Sequence, residues 1–201
     1  KTVFVIHANY SKYLWIYKYL PVDKYVYVST VVRENVKNFI SEKKLETINN
    51  YVQIDAEIMP QEKDKLAIVS SLEPWKGVLN FVSNTDFSTL PRLTLDIVGD
   101  GSESQKINNI SNNNTQNICI RLHGRNDNPY KIISNCKIMV LPSPEEGFGL
   151  TLLEGVVNRK ILVCRDIPVF KQFQSEFYGV YLFNSLNEVP GVISTAIEAT
   201  I

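Results

Sequence analysis

Residues 137–157 read KIMVLPSPEEGFGLTLLEGVV, an apolar run followed by a proline- and glycine-rich loop and a second apolar run. The run KIMVL is typical of a strand that is buried on both faces of a parallel sheet. The segment LTLLEGVV follows the loop at once and is predicted to form a helix over residues 150–157. A strand, a short loop and a helix in that order form the repeating unit of doubly wound α/β folds.

The same rhythm extends along the whole chain. Further apolar runs typical of buried strands are TVFVI, YVYVS, LAIVS, LTLDIV, ICIRL and KILVC. Stretches long enough for helices lie at residues 76–85, 102–111, 128–135, 150–157, 167–175 and 185–199. The alternation predicts an α/β chain built on a doubly wound, Rossmann-like parallel sheet.

A charged segment without periodicity, AEIMPQEKDK at residues 56–65, is predicted to separate two domains. No more than three strand candidates precede it, which is too few for a complete sheet. Strands and helices alternate regularly after it. We therefore predict part of one α/β domain at residues 1–60 and most of a second at residues 66–201.

The composition argues against nucleic acid as a partner and against a membrane-spanning segment. The chain has 201 residues and a formal net charge of +0, so it lacks the basic field that nucleic-acid binding requires. Its three cysteines are widely spaced without a CxxC pair, which predicts reduced thiols in buried strands of a cytoplasmic protein. No apolar run approaches the length of a membrane span. The chain begins at Lys1 and not at Met, so the sequence leaves open whether a targeting segment precedes it.

The opening stretch also predicts a ligand site, since ligands of open α/β sheets bind at the carboxyl ends of the strands. Glu146 lies in the loop and Glu154 lies about one turn inside the helix. The backbone N–H groups of Gly149, Leu150 and Thr151 begin the helix, where unpaired N–H groups and the helix dipole favour an anion. Glu154 can accept hydrogen bonds from a diol such as ribose. The stretch therefore predicts a phosphorylated, hydroxyl-rich ligand.

Two further strand ends carry weaker signals. In SLEPWKG, which follows LAIVS, Lys76 begins a predicted helix and can reach a phosphate as a point charge. In LDIVGDG, a strand ends in a glycine–aspartate–glycine turn, which is usually only a tight βα turn. His123 has no acidic neighbour in the sequence and is predicted to be structural.

The ordered set KG, IVGDG, LHG and PSPEEGFGLTLLEG resembles retaining GT-B glycosyltransferases of the glycogen-synthase-like kind, among them bacterial polysaccharide and glycolipid transferases. The resemblance covers about residues 66–183, the C-terminal donor-binding domain. It implies that Glu146 contacts the donor sugar, that Glu154 binds the ribose and that Lys76 binds the diphosphate. It also implies that the loop from Leu122 to Arg125 cups the base.

The resemblance extends loosely to the remaining residues. His7 matches a histidine that reaches the donor sugar, although a structural role for His7 stays equally open, and Phe148 belongs to the donor-binding motif. Ser71 stands where the family has an arginine that shares the diphosphate, and such a charge-assisted contact contributes about 1.5–3 kcal/mol. The glycine that usually follows the helix is replaced by Asn158–Lys160. Residues 1–60 would then belong to the acceptor-side domain.

The activity implied is transfer of a hexosyl group from a nucleoside diphosphate sugar, with a UDP-sugar as first choice and with retained configuration. The acceptor would be a polysaccharide, a lipid-linked glycan or another group. A non-catalytic subunit that binds a nucleotide sugar or a partner stays open as the alternative, and a GT-B-type epimerase is a distant third. With so short a first domain, the chain by itself is expected to transfer no sugar.

No cofactor and no catalytic metal are expected, because the chain has no Asp-x-Asp motif; Lys76 and helix dipoles would balance the diphosphate charge. Residues 10–27 contain six tyrosines, Trp15 and three lysines. This stretch is open to two interpretations. Its aromatic side chains could form the buried face of a helix and a strand, or they could face a lipid acceptor or the inner face of a membrane.

Overall fold

The computed structural model of the chain describes residues 1–7, 12–48, 50–52, 59–113 and 116–200. The chain forms two compact units. The first unit comprises Lys1–Val52 and Glu145–Leu150, and the second comprises Gln53–Pro144 and Thr151–Ile201.

The first unit contains a small parallel sheet. Its strands, in the order in which they pair, are β1 (Val3–Ile6), β2 (Lys24–Tyr27) and β3 (Leu45–Thr47). Helix α1 (Thr30–Val36) follows β2, and single 3-10 turns lie at Leu14–Lys18 and Glu42–Lys44. The Ser29 hydroxyl caps α1 by accepting a hydrogen bond from the N–H of Val32. Helix α1 was not predicted from the sequence, and none of the predicted apolar runs coincides with β3.

The second unit contains a parallel sheet of six strands: β4 (Glu62–Val69), β5 (Leu93–Val98), β6 (Ile118–Leu122), β7 (Cys136–Leu141), β8 (Ile161–Arg165) and β9 (Val180–Phe183). Their spatial order is β6-β5-β4-β7-β8-β9. The chain runs outward from β4 to β6, returns to the other side of β4 and runs outward again. The direction of winding therefore reverses between β4 and β7, where doubly wound folds bind ligands. The predicted doubly wound sheet is confirmed.

Five helices connect these strands and a sixth follows β9: α2 (Val78–Asn84), α3 (Ser104–Asn113), α4 (Pro129–Ile132), α5 (Leu150–Val157), α6 (Pro168–Glu176) and, after β9, α7 (Val189–Glu198). Helix α5 has the predicted bounds of 150–157, whereas α4 is much shorter than the predicted 128–135. The chain turns at Ile133 and enters β7 three residues later, which leaves room for only one helical turn. None of the described helices is long and apolar enough to cross a bilayer.

The prediction that the cysteines are buried in strands is right for two residues and wrong for one. Cys136 and Cys164 are free thiols buried in β7 and β8. Cys119 is also free, but it is exposed. It lies in β6, an edge strand whose buried and exposed residues alternate around Cys119.

The aromatic stretch at residues 10–27 is partly buried and partly exposed. Tyr25 and Tyr27 are buried in the core of the first unit. Three aromatic side chains near the 3-10 turn are exposed: Tyr13, Trp15 and Tyr19. Tyr10 lies outside the described residues.

Candidate functional site

The turn after β5 packs so tightly against the loop after β4 that it excludes side chains. Gly99 has a φ of +148°, and a Cβ atom there would lie 1.8 Å from the carbonyl oxygen of Ser70. A Cβ atom on Gly101 would lie 2.5 Å from the carbonyl oxygen of Leu72. The N–H of Leu72 in turn donates to the carbonyl of Asp100 at 2.9 Å. The lack of a side chain at Gly99 and Gly101 therefore lets the loops after β4 and β5 pack directly against each other, a constraint beyond that of a tight turn.

Two carboxylates hold this turn in place. Asp100 accepts hydrogen bonds from the Ser104 hydroxyl at 2.6 Å and from the Gly101 N–H at 2.8 Å. The hydrogen bond from Ser104, followed by that from Gly101, lowers the pKa of Asp100. Glu73 accepts from both the N–H and the hydroxyl of Ser102, at 3.0 and 2.5 Å. Both acids therefore support the loops.

A cavity of about 540 Å³ opens beside this turn in the second unit, a volume that suits a small-molecule ligand. Its lining residues are Val69, Ser70, Ser71, Val98, Gly99, Asp100, Gly101, Arg125, Asn126, Pro129 and Thr151. The structure thus brings together Ser71, Arg125 and Thr151, which follow or begin different elements. The charged side chains of this wall are the guanidinium group of Arg125 and the carboxylate of Asp100, and its other polar groups are hydroxyls, an amide and backbone groups.

Lys76 is held next to the loop that follows β7. It ends a 3-10 turn, Pro74–Lys76, and Gly77 then adopts a left-handed φ of +69°. A Cβ atom on Gly77 would lie 2.9 Å from the carbonyl oxygen of Pro142 and 3.4 Å from Cδ of Pro144. The KG and PSP motifs are therefore packed together, and Lys76 is half-buried at their junction.

Glu154 lies on α5, is half-buried, and binds a residue that the sequence analysis missed. The hydroxyl of Tyr130, on α4, donates a hydrogen bond of 2.6 Å to Oε2 of Glu154. Burial, and then the interaction with Glu154, raise the pKa of Tyr130, which keeps its hydroxyl protonated. The only sequence signal was the position of Tyr130 within a predicted helix, which does not distinguish it from other aromatic residues.

The other predicted site residues belong to the first unit. The carbonyl of Gly147 accepts a hydrogen bond of 2.8 Å from the Ser29 hydroxyl. Phe148 packs against the hydrophobic core of this unit. Gly149 is buried with a φ of +82°, whereas Leu150 is exposed. Two further candidates complete the set: Glu146 is half-buried, and His7 is exposed directly after β1.

His123 has an acidic partner that its sequence neighbours did not reveal. Its Nε2 lies 2.7 Å from Oδ1 of Asp96, a buried residue of the neighbouring strand β5. Oδ2 of Asp96 accepts a hydrogen bond of 3.6 Å from Sγ of Cys136. A buried carboxylate needs such partners, so the pair supports the predicted structural role of His123.

Among the described residues, no group of three or more histidine, cysteine, aspartate or glutamate side chains is arranged to hold a metal ion.

Comparison with known proteins identifies one family. The family model described as "Glycosyl transferases group 1" matches residues 52–186. A relative from Streptococcus agalactiae, the "UDP-N-acetylglucosamine--peptide N-acetylglucosaminyltransferase GtfA subunit", is 33% identical over 109 residues, which are 53% of this chain and 21% of the relative. An uncharacterized glycosyltransferase of Methanocaldococcus jannaschii is 28% identical over 177 residues, which are 81% of this chain and 46% of the relative.

A solved structure shows the same fold. It is a mutant of S. aureus TarM in complex with Fondaparinux, alpha-GlcNAc-glycerol and UDP. It aligns with a TM-score of 0.83 at 22% identity, over 98% of this chain and 44% of TarM. This chain therefore spans less than half the length of each of these three proteins.

Proposed function

Because this chain belongs to the glycosyl transferases group 1 family, we propose that it binds the nucleoside diphosphate sugar of a glycosyl transfer reaction, with a UDP-sugar as the donor. The observation that carries the proposal is the cavity at the carboxyl ends of β4 and β5, beside the point where the sheet reverses its winding. UDP is preferred because the S. agalactiae relative is named for a UDP-sugar and the TarM complex contains UDP.

Each candidate residue then has a distinct task. Lys76 pairs with the diphosphate, and Glu154 accepts hydrogen bonds from the ribose. Arg125, on the cavity wall, lies beside the nucleotide. Electrostatic contacts to the diphosphate accelerate the reaction because negative charge develops there as the bond to the sugar breaks.

The N–H groups at the start of α5, together with Phe148, belong to the donor-binding motif, and Glu146 and His7 contact the donor sugar. The bond between the anomeric carbon and the diphosphate oxygen breaks, and the acceptor oxygen bonds to the same face of that carbon. The acceptor proton leaves with the diphosphate. The configuration is retained, and the acceptor is a glycan, a lipid-linked glycan or another hydroxyl-bearing group.

A panel of nucleotides and nucleotide sugars tests the proposal. We expect UDP and UDP-sugars to raise the melting temperature of the chain more than GDP-, ADP- and free-sugar controls, because a ligand that binds only the folded state stabilises it. Failure of every nucleoside diphosphate to bind would contradict the proposal. Preference for another base would contradict only the assignment of UDP.

One observation favours a second function, a subunit that binds a nucleotide sugar without turning it over. Ser71 lies on the cavity wall where the family resemblance expects an arginine, so one diphosphate contact is missing. The two functions differ in donor hydrolysis and transfer. We expect the chain alone to bind the donor without transferring sugar, and a longer protein with a complete first domain to be active. Binding without hydrolysis or transfer by the longer protein would favour the second function.

A further inference from the structure

We propose that Tyr130 is a positioning residue: it holds the carboxylate of Glu154 in the orientation that accepts hydrogen bonds from the ribose of the nucleotide. The inference rests on the proposed function. It adds to that function a residue outside the motifs of the sequence analysis.

The contact itself is short and leaves room for a ligand. The Tyr130 hydroxyl lies 2.6 Å from Oε2 of Glu154, a distance typical of a hydrogen bond to a charged oxygen. A carboxylate offers about four lone-pair sites, and the Tyr130 hydroxyl fills one of them. Within the described part of the chain, the Glu154 side chain accepts no second hydrogen bond. The other sites therefore remain for ribose hydroxyls.

Each residue of the pair lies close in the sequence to a residue that lines the cavity, although neither lines it itself. Pro129, which directly precedes Tyr130, lines the cavity. Thr151 also lines it and lies three residues before Glu154, and residues three apart share one face of a helix. The Tyr130–Glu154 pair therefore flanks the space in which the nucleotide is proposed to bind.

Helix α4, which carries Tyr130, is anchored at both ends. At its start, the side chain of Asn128 accepts a hydrogen bond of 3.3 Å from the N–H of Lys131. After its end, the ammonium group of Lys160 donates to three backbone carbonyls, those of Ile133 at 2.9 Å, Ser134 at 2.8 Å and Cys136 at 2.6 Å. Lys160 is only 3% exposed, so this anchor is an interior one.

Such an arrangement matters because a glutamate side chain has several rotatable bonds. A free carboxylate would lose this freedom when it binds ribose, and the loss would weaken binding. A tyrosine on an anchored helix restricts the carboxylate before the nucleotide arrives. Tyr130 therefore improves affinity only for ligands that carry ribose hydroxyls.

The test compares Tyr130→Phe with a matched control, Tyr181→Phe, a partly buried tyrosine that packs on the core of the same unit. UDP, GDP and ADP are first compared by calorimetry. The tightest binder is then measured beside its 2′,3′-dideoxy form. We expect Tyr130→Phe to weaken the ribonucleotide about threefold to tenfold and to leave the dideoxy form unchanged. Tyr181→Phe should change neither.

A double variant tests whether Tyr130 acts on nucleotide affinity through Glu154. In a Glu154→Ala background, which removes the acceptor of the Tyr130 hydroxyl, Tyr130→Phe should have little further effect on ribonucleotide affinity. Equal weakening of both nucleotides would show a purely structural role, and no weakening of either would show no role; each overturns the inference while the proposed function stands. If the unaltered chain binds no nucleotide, the proposed function fails and the inference fails with it.

Discussion

Gly77 lies so close to Pro142 that a Cβ atom added to the glycine would be 2.9 Å from the proline carbonyl oxygen. The contact joins the loop after β4 to the loop after β7, the two strands between which the sheet reverses its winding. It explains why a glycine follows Lys76, because a larger residue at this point would push the two loops apart.

Three glycine substitutions distinguish the effect of the close contact at Gly77 from the effect of its left-handed φ. Gly77→Ala should lower the free energy of unfolding by about 1–3 kcal/mol, since it adds a close contact to a left-handed φ. Gly124→Ala should lower it less, because Gly124 has a similar φ of +67° but no atom within 4 Å of the added Cβ. Gly191→Ala, in helix α7 with open space around it, should be neutral or stabilising by up to about 1 kcal/mol. Urea unfolding measures all three, and equal losses for Gly77→Ala and Gly124→Ala would contradict the close contact.

Lys160 should make the stability of the chain depend on pH. Burial lowers the pKa of Lys160 from 10.5 to about 8, so the unfolded chain binds more protons at this residue between those values. Its contribution to the free energy of unfolding should therefore rise as the pH rises through this window. From pH 7 to pH 9 the gain should be about 1 kcal/mol.

The measurement is the difference in free energy of unfolding between the unaltered chain and Lys160→Met. That difference should shift in favour of the unaltered chain between pH 7 and pH 9. The measurement stops at pH 9 because burial raises the pKa of Cys136 to about 12 and also raises the pKa of Cys164. Above pH 9 these two thiols lower the free energy of unfolding as the pH rises, which opposes the effect of Lys160. Lys171→Met, at an exposed position, is the control. A difference that stays constant with pH would contradict the prediction.

Glu154→Gln should weaken UDP binding about tenfold, since an amide is a poorer acceptor for ribose hydroxyls than a carboxylate of nearly the same shape. Calorimetry with UDP measures the change. The matched control is Glu198→Gln at the exposed end of helix α7, which should have no effect. Unchanged affinity in the Glu154 variant would count against the placement of the ribose.

Lys76→Ala should weaken UDP far more than uridine, because only the diphosphate needs its charge. Arg125→Ala should likewise weaken UDP more than uridine if this guanidinium, which shares the cavity with Ser71, provides the charge that Ser71 lacks. Lys106→Ala, on the exposed face of α3, is the control. Comparison of the two ligands by calorimetry separates an effect on phosphate from an effect on the fold, which would weaken both equally.

The family and the fold class could be predicted from short segments of sequence. The opening stretch, KIMVLPSPEEGFGLTLLEGVV, contains a strand, a loop and a helix in consecutive residues, and α5 has the predicted bounds. Strands β5 and β6 also coincide with the predicted runs LTLDIV and ICIRL. Predictions were poorer where elements were short. Strand β3 has three residues and helix α4 has four, too few for a periodic pattern to become visible.

The sequence by itself determined most strands and helices of the second unit, because burial periodicity, glycine turns and helix caps are properties of neighbouring residues. Only the tertiary structure decided which side chains meet. Tyr130 and Glu154 are 24 residues apart, His123 and Asp96 are 27 apart, and Lys160 reaches carbonyls 24 to 27 residues away. These contacts depend on the order of strands in the sheet and on the anchoring of α4. A local pattern contains neither, because strand order follows from how all the apolar faces are buried together.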